Sequence, residues 1–436
     1  MVCRVKKLSR FLFYFGIFLM VTGDLPRYPF GVKEKHFIFL LFSWPRLYLF
    51  VLGLSILLWI FCGGIGKSRP RFLSSWQKPL CFLFAAFVCS VLGSTAPGQS
   101  GQALFIYGSF FFFMALLTQY IESEVDIKIL WAVIGSALIY LSARTISWRV
   151  SEGLFKGTYH VGNNSWLGKL QISWVFNFFA PFIFFRVLES DTLKFRWFYG
   201  LAWLLSALAV WLLFARTGIL TFIVTALGAA FLMRRGWRRW LPLAVILGAL
   251  LLPAVRYSGD MSGYVFWSTV RLDEEAGVLR RFAIWKESWT MFKDHPLLGI
   301  GLGAYDDVAY SIYHTLQDRS GSTINWYYRN GWHAHNYFVH NLVEIGLLGM
   351  AAWSYFWFLF FSRLLQSWKR ARGELEKQHI FSVFLCVTAF FILAQTENLM
   401  SLRVHESFRM NAVFWLLLIL GVSRASSFDL VDADKV

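Results

Sequence analysis

The sequence predicts an all-α integral membrane protein with about twelve spans, and three observations carry that prediction. First, 57% of the 436 residues are hydrophobic and only 15% are charged, against about 25% charged in an average soluble domain. Second, the apolar residues gather into long runs, and runs of about 18 or more span a bilayer as helices. Third, the mean hydropathy is +0.53, and the runs follow one another so closely that no sizeable soluble domain fits between them.

In chain order the runs are 11–23, 46–63, 79–94, 103–121, 129–143, 168–186, 197–215, 217–233, 240–255, 336–361, 380–397 and 408–423. The first follows Arg4, Lys6, Lys7 and Arg10, as in a signal peptide. It ends in Gly23-Asp24-Leu25-Pro26-Arg27 without a small-x-small cleavage site, so it reads as an uncleaved span. Lys67, Arg69, Arg71 and Lys78 fill the loop before the third run. Arg234, Arg235, Arg238 and Arg239 precede the ninth. Arg363, Lys369, Arg370, Arg372 and Lys377 precede the eleventh. With alternating spans these loops and both termini share one face, which the positive-inside rule places in the cytoplasm. The opposing loop 95–102 is uncharged.

Four regions follow: N-terminal spans over 1–200, spans that carry Arg216-Thr217-Gly218 over 201–255, a long outer loop with short helices over 256–335, and C-terminal spans over 336–436. Connections as long as the outer loop are uncommon unless functional. Two smaller outer loops carry charge: 144–167, with Arg144 and Arg149, and 398–407, with Arg403. The net charge of +17 would suggest nucleic acid in a soluble protein. Here it lies between spans, where it sets topology and meets anionic lipid, so membrane lipid and no nucleic acid is the expected partner. The five cysteines form no CxxC pair, and no disulfide framework is expected.

The segment richest in chemistry is His333-Ala334-His335-Asn336, which leads into the span from Tyr337 to Gly349. His335 would sit at the outer membrane surface, where an imidazole suits removal of a proton from a hydroxyl; the alternative is an interfacial histidine that caps the span. Glu344, inside the span, is roughly opposite His335 on a helix and is expected to bond a neighbouring helix. Gly346 and Gly349 would allow close helix contact.

Ala215-Arg216-Thr217-Gly218 forms a tight break between two runs, with Gly218 permitting it. Arg216 is left at the boundary, either snorkelling to headgroups or binding a phosphate with its planar fork. Residues 280–289 read as an amphipathic surface helix with apolar positions 282, 285 and 289, and Arg281, Trp285 and Ser288 on one side. The glycine-rich stretch 295–305 lacks the Gly-Lys-Ser/Thr and strand of a nucleotide loop, and reads as a flexible bend. Trp326, Tyr327, Tyr328 and Trp332 suit interfacial anchoring or stacking on sugars. The spacing of His333, His335 and His340 does not suit a metal, and neither a metal nor any other cofactor is expected.

Taken together these segments resemble the O-antigen ligase and polymerase superfamily. The hallmark is a His followed by Asn, Ser or Gln, nine residues, then Gly-x-x-Gly. Here it is His335-Asn336, residues 337–345, and Gly346-Leu347-Leu348-Gly349. Arg216-Thr217-Gly218, Arg281 before Trp285, and Pro296-Leu297-Leu298-Gly299-Ile300-Gly301 match the superfamily's further motifs, in order, over about residues 200–360. The resemblance implies a fold like the GT-C membrane glycosyltransferases, in a bacterial inner membrane, with the outer face periplasmic. It implies a glycan donor linked to undecaprenyl pyrophosphate. The acceptor would be a lipid A–core sugar in a ligase, a second lipid-linked glycan in a polymerase, or a protein hydroxyl in a related oligosaccharyltransferase; the complete His-Asn motif favours a ligase.

By the same resemblance His335 would be the base, and Arg216 and Arg281 would hold the pyrophosphate. Asn336, Trp285 and Trp332 are substrate-binding candidates, with Arg144 and Arg403 as further cations on that face. A transporter or flippase would instead gather charge near the bilayer midplane and show repeated halves, neither of which the sequence displays.

Overall fold

The computed structural model describes residues 2–22, 47–62, 71–118, 124–151, 169–190, 192–213, 215–232, 275–312, 333–371, 373–396 and 411–418, among which there is no strand. The helices are α1 (Val2–Thr22), α2 (Leu47–Phe61), α3 (Arg71–Leu92), α4 (Pro97–Thr118), α5 (Glu124–Ser151) and α6 (Lys169–Glu189), followed by α7 (Leu193–Leu212), α8 (Arg216–Leu232), α9 (Glu275–Asp294), α10 (Tyr305–Ile312), α11 (Tyr337–Arg370) and α12 (Glu374–Leu393). Residues 411–418 are also helical.

Among the described residues, five helices are long and apolar enough to cross a membrane: Val125–Val150 of α5, Ile172–Glu189 of α6, α7, α11, and Glu376–Leu393 of α12. Three shorter apolar helices, α2, Lys78–Leu92 of α3 and Thr217–Phe231 of α8, join them. Helices close all their backbone hydrogen bonds within the segment, which is why they suit lipid. The chain is a multi-pass membrane protein. The expected run 240–255 lies outside the described residues, and 408–423 is described only over 411–418.

Lipid tails are as apolar as leucine, so helix association rests on packing and on hydrogen bonds between helices. Both are visible. α1 meets α2 through a reciprocal pair: Ser9 Oγ donates to the Ser55 carbonyl at 3.0 Å, and Ser55 Oγ donates to that of Ser9 at 2.8 Å. Tyr14 of α1 donates its hydroxyl to Asp126 of α5 at 3.0 Å. α6 lies centrally against α7, α8 and α12, while α11 packs on α3 and α9. Where α11, α12 and 411–418 meet, the core is made of rings: Phe390 stacks on Phe414 at 4.6 Å between centroids, and Trp357 stacks on Phe390 at 5.7 Å. Flat faces maximise dispersion contact.

Several element boundaries differ from the sequence expectation. α5 continues to Ser151, so Arg144 and Arg149 end a helix rather than open an outer loop. Arg149 is buried, with its guanidinium carbon 5.4 Å from the Trp148 ring centroid. Gly218 is the third residue of α8 and not a turn residue. A Cβ there would meet Ser173 Oγ of α6 at 2.6 Å, so the glycine serves close helix approach, and Asn177 Nδ2 donates to its carbonyl at 3.1 Å.

Candidate functional site

The site begins with a broken helix. Gly346 lies inside α11 at φ 61, ψ −167, a region that essentially only glycine occupies. In a continuous helix Leu347 N–H would bond the Val343 carbonyl, and Leu348 N–H that of Glu344. Here the turn at 296–301 takes over all four groups. Leu347 N donates to Pro296 O at 2.9 Å and Leu348 N to Leu297 O at 3.1 Å, while Ile300 N donates to Val343 O at 2.9 Å and Gly301 N to Glu344 O at 3.0 Å. Ser90 of α3 adds a hydroxyl to the Glu344 carbonyl at 2.8 Å. Gly299, at φ 74, presses so closely that a Cβ would collide with the Glu344 carbonyl. The glycine-rich stretch is therefore no flexible bend, and Gly346 is no helix-contact residue. Each motif supplies the backbone partners that the other lacks, which satisfies the rule that irregular backbone at membrane depth must be buried and bonded.

The first turns of α11 are thereby set off as a short helix, Tyr337–Ile345, with the histidine just before its N-cap. Asn336 is its N-cap, accepting from Phe338 N at 2.9 Å and Val339 N at 3.1 Å. Tyr337 N donates to Ala394 O at the end of α12 at 2.8 Å, and His340 N to Asn336 O at 3.0 Å. The amides of Tyr337, Phe338 and Val339, which a helix start leaves open, are thus engaged, and the His340 amide makes the first regular helical bond. The Asn336 carboxamide, expected to bind substrate, acts as the cap and also reaches Gln395 O at 3.3 Å through Nδ2.

His335, immediately before the cap, is half-buried and has φ 46, a left-handed conformation. Such a residue costs on the order of 1 kcal/mol and persists only where its surroundings over-determine it. They do so here. The Ala334–His335 peptide is gripped at both ends: Trp285 Nε1 donates to the Ala334 carbonyl at 2.8 Å, and His335 N donates to His333 Nδ1 at 3.2 Å. The His333 and His335 rings lie 4.2 Å apart between centroids. Trp285, expected to bind substrate, uses its indole N–H inside the protein, and its ring packs edge-on against Phe282 at 5.4 Å.

Behind this grip lies a buried network. His340 Nε2 is 3.2 Å from Glu344 Oε1, and the same oxygen accepts Tyr305 N at 3.2 Å. The Tyr305 hydroxyl bonds Ser288 Oγ at 2.6 Å, joining α9, α10 and α11. Glu344 thus bonds its own helix and, as expected, a neighbouring one, through the start of α10. The spacing of four between His340 and Glu344 was the signal available in the sequence.

Comparison with known families gives the decisive observation: residues 201–354 match the family model described as O-antigen ligase. This segment is similar to the O-antigen ligase family. A search of the curated proteins found no match. The matched segment runs from α7 through the break in α11, and holds Arg216, Arg281, Trp285, Trp332, His335 and Asn336, while Arg144 and Arg403 lie outside it. Arg281 lies on α9, on the same stripe as Trp285 and Ser288, one and two turns before them.

The buried face of α9 differs from the expected one. Ile284, Ser288, Met291 and Phe292 are buried while Phe282 and Trp289 are exposed, because the helix packs on α10 and α11 instead of lying free on a surface. Arg216 opens α8 at the break after α7. Arg144 is half-buried near the end of α5, and Trp332 and Arg403 lie outside the described residues.

Proposed function

We propose that this protein is a membrane glycosyltransferase of the O-antigen ligase type, with a GT-C-like bundle of about twelve spans. It moves a glycan from undecaprenyl pyrophosphate to a lipid A–core sugar at the periplasmic face of a bacterial inner membrane, and both termini are cytoplasmic. The observation that carries the reading is the strained, over-determined His335 at the mouth of α11, gripped by Trp285 from the helix that also bears Arg281.

His335 takes the proton of the acceptor hydroxyl. The acceptor oxygen attacks the anomeric carbon, the carbon–oxygen bond to the pyrophosphate breaks, and undecaprenyl pyrophosphate leaves with its electron pair, inverting that carbon. Arg216 and Arg281 hold the pyrophosphate and stabilise the charge that grows on it. Fixed cations in a poorly hydrated site contribute about 3 kcal/mol or more to such a step. No metal is required by this scheme. Trp285 and Trp332 offer ring faces to sugar, Asn336 shapes the mouth, and Arg144 and Arg403 are further cations for the donor.

The test supplies purified protein with lipid-linked glycan, with and without a lipid A–core acceptor. A product that joins glycan to core supports the ligase. Chain lengthening without the core would reassign the protein as a polymerase, glycan on a supplied protein hydroxyl as an oligosaccharyltransferase, and absence of any transfer alongside donor movement between leaflets as a transporter.

A further inference from the structure

The reaction just described leaves one buried pair without a part. His340 and Glu344 are 3% and 5% exposed, one helical turn apart, inside a helix apolar enough to span. A carboxylate there is costly and needs a reason. Their contacts supply one. Ala334 N lies 3.4 Å from His340 Nδ1, and a peptide N–H can only donate, so Nδ1 is the acceptor nitrogen. The ring proton then sits on Nε2, aimed at Glu344 Oε1. The Tyr305 ring lies against the imidazole at 4.6 Å between centroids and its N–H anchors the carboxylate. The order is carboxylate, imidazole, peptide, and the peptide belongs to the residue immediately before His335. A proton relay is disfavoured by the same order, because a chain that ends on a peptide N–H delivers no proton.

We propose that His340, fixed as its Nε2–H tautomer by Glu344, is a positioning residue for His335. It rests on the transfer reading above for its effect on turnover, though not for its geometry. Trp285 and His333 fix the Ala334–His335 peptide, and His340 fixes the preceding one. Two consecutive peptide planes held in place determine the backbone of Ala334, and the capped turn beginning at Asn336 fixes the far side of His335. The left-handed backbone, and with it the direction of the His335 ring, is thus set from both sides.

The test compares His340→Gln with His340→Asn in the full-length protein. Asparagine places an amide oxygen near the position of Nδ1 and keeps the acceptor for Ala334; glutamine reaches Glu344 with its amide but removes that acceptor. We expect His340→Gln to lower kcat about 10- to 100-fold with KM for the donor nearly unchanged, since misplacing a catalytic group costs that much. His340→Asn should regain most of the loss, with both variants melting alike.

A second measurement is independent of turnover: carbethoxylation of His335 by diethyl pyrocarbonate, located by peptide mass spectrometry. The labelling rate of His335 should change several-fold in His340→Gln, with His340→Asn close to wild type and His295 labelled equally in all. Wild-type kcat and labelling in the glutamine variant would overturn the proposal, as would equal losses in both variants that track their melting temperatures. Should wild-type protein transfer no glycan, the functional reading fails, and the labelling contrast still decides the role of His340.

Discussion

Gly346→Ala should be among the most damaging single-methyl additions in the protein. The new Cβ collides with Leu297 O and lies 2.5 Å from Gly299 N, and the backbone must hold φ 61 with ψ −167. The conformation alone costs a non-glycine residue about 2 kcal/mol. Moving Leu297 and Gly299 away breaks the bonds Leu348 N to Leu297 O and Gly299 N to His295 O, worth about 1 kcal/mol each. The sum is about 4 kcal/mol, large against the stability of a typical domain. The assay is thermal unfolding of purified protein in detergent, beside Gly53→Ala, whose added methyl meets nothing within 4 Å in the helix α2. That control should be neutral or slightly stabilised, whereas Gly346→Ala should lose about 4 °C. Gly346→Ala melting with wild type would mean that α11 runs unbroken through 346, and the interlock with residues 296–301 would have to be abandoned.

His335→Ala should abolish transfer while donor binding survives, because a base acts in the transition state; a His335→Gln enzyme with near-normal rate would remove the base assignment and leave the transferase reading intact. Arg216→Lys and Arg281→Lys keep charge but lose the planar fork, so turnover should drop sharply despite normal membrane insertion. Wild-type rates in both would shift attention to Arg144 and Arg403, and loss of activity in EDTA that added metal restores would reopen a metal mechanism. Asn336→Ala, which removes the acceptor for two amides, should cost about 1 kcal/mol of stability in a denaturation series; an unchanged midpoint would show the cap to be dispensable. In a cysteine-free background, cysteines at 98 and 320 should react with an impermeant thiol reagent in spheroplasts and one at 236 should not, with the reverse pattern inverting the topology.

The sequence made the spans and the motifs legible because both are local: an apolar run declares itself, and so does His-Asn followed at fixed distance by Gly-x-x-Gly. What escaped was non-local. Gly346 read as a small residue for helix contact because nothing near it in the chain says that its helix breaks; the partners of the break, Pro296, Leu297, Ile300 and Gly301, come from a different segment. Trp285 read as a substrate-binding residue, since the carbonyl that takes its N–H belongs to Ala334, far along the chain. The pair His340 and Glu344 was within reach, at a spacing of four, but His340 was weighed only against His335 on a continuous helix. The buried face of α9 was hidden because Phe282 and Trp289, its loudest residues, point outward.

The interlock between α11 and the turn at 296–301 also limits how this protein can move. Separating them would leave two amides and two carbonyls of α11 without their partners, together with the partner groups on the turn. Each such group costs about 1–3 kcal/mol when left unmet. The arm formed by α9 and α10 is therefore riveted at its midpoint, with α9 on one side of the joint and α10 on the other. Any large motion of this part of the protein has to come from segments that this joint does not hold.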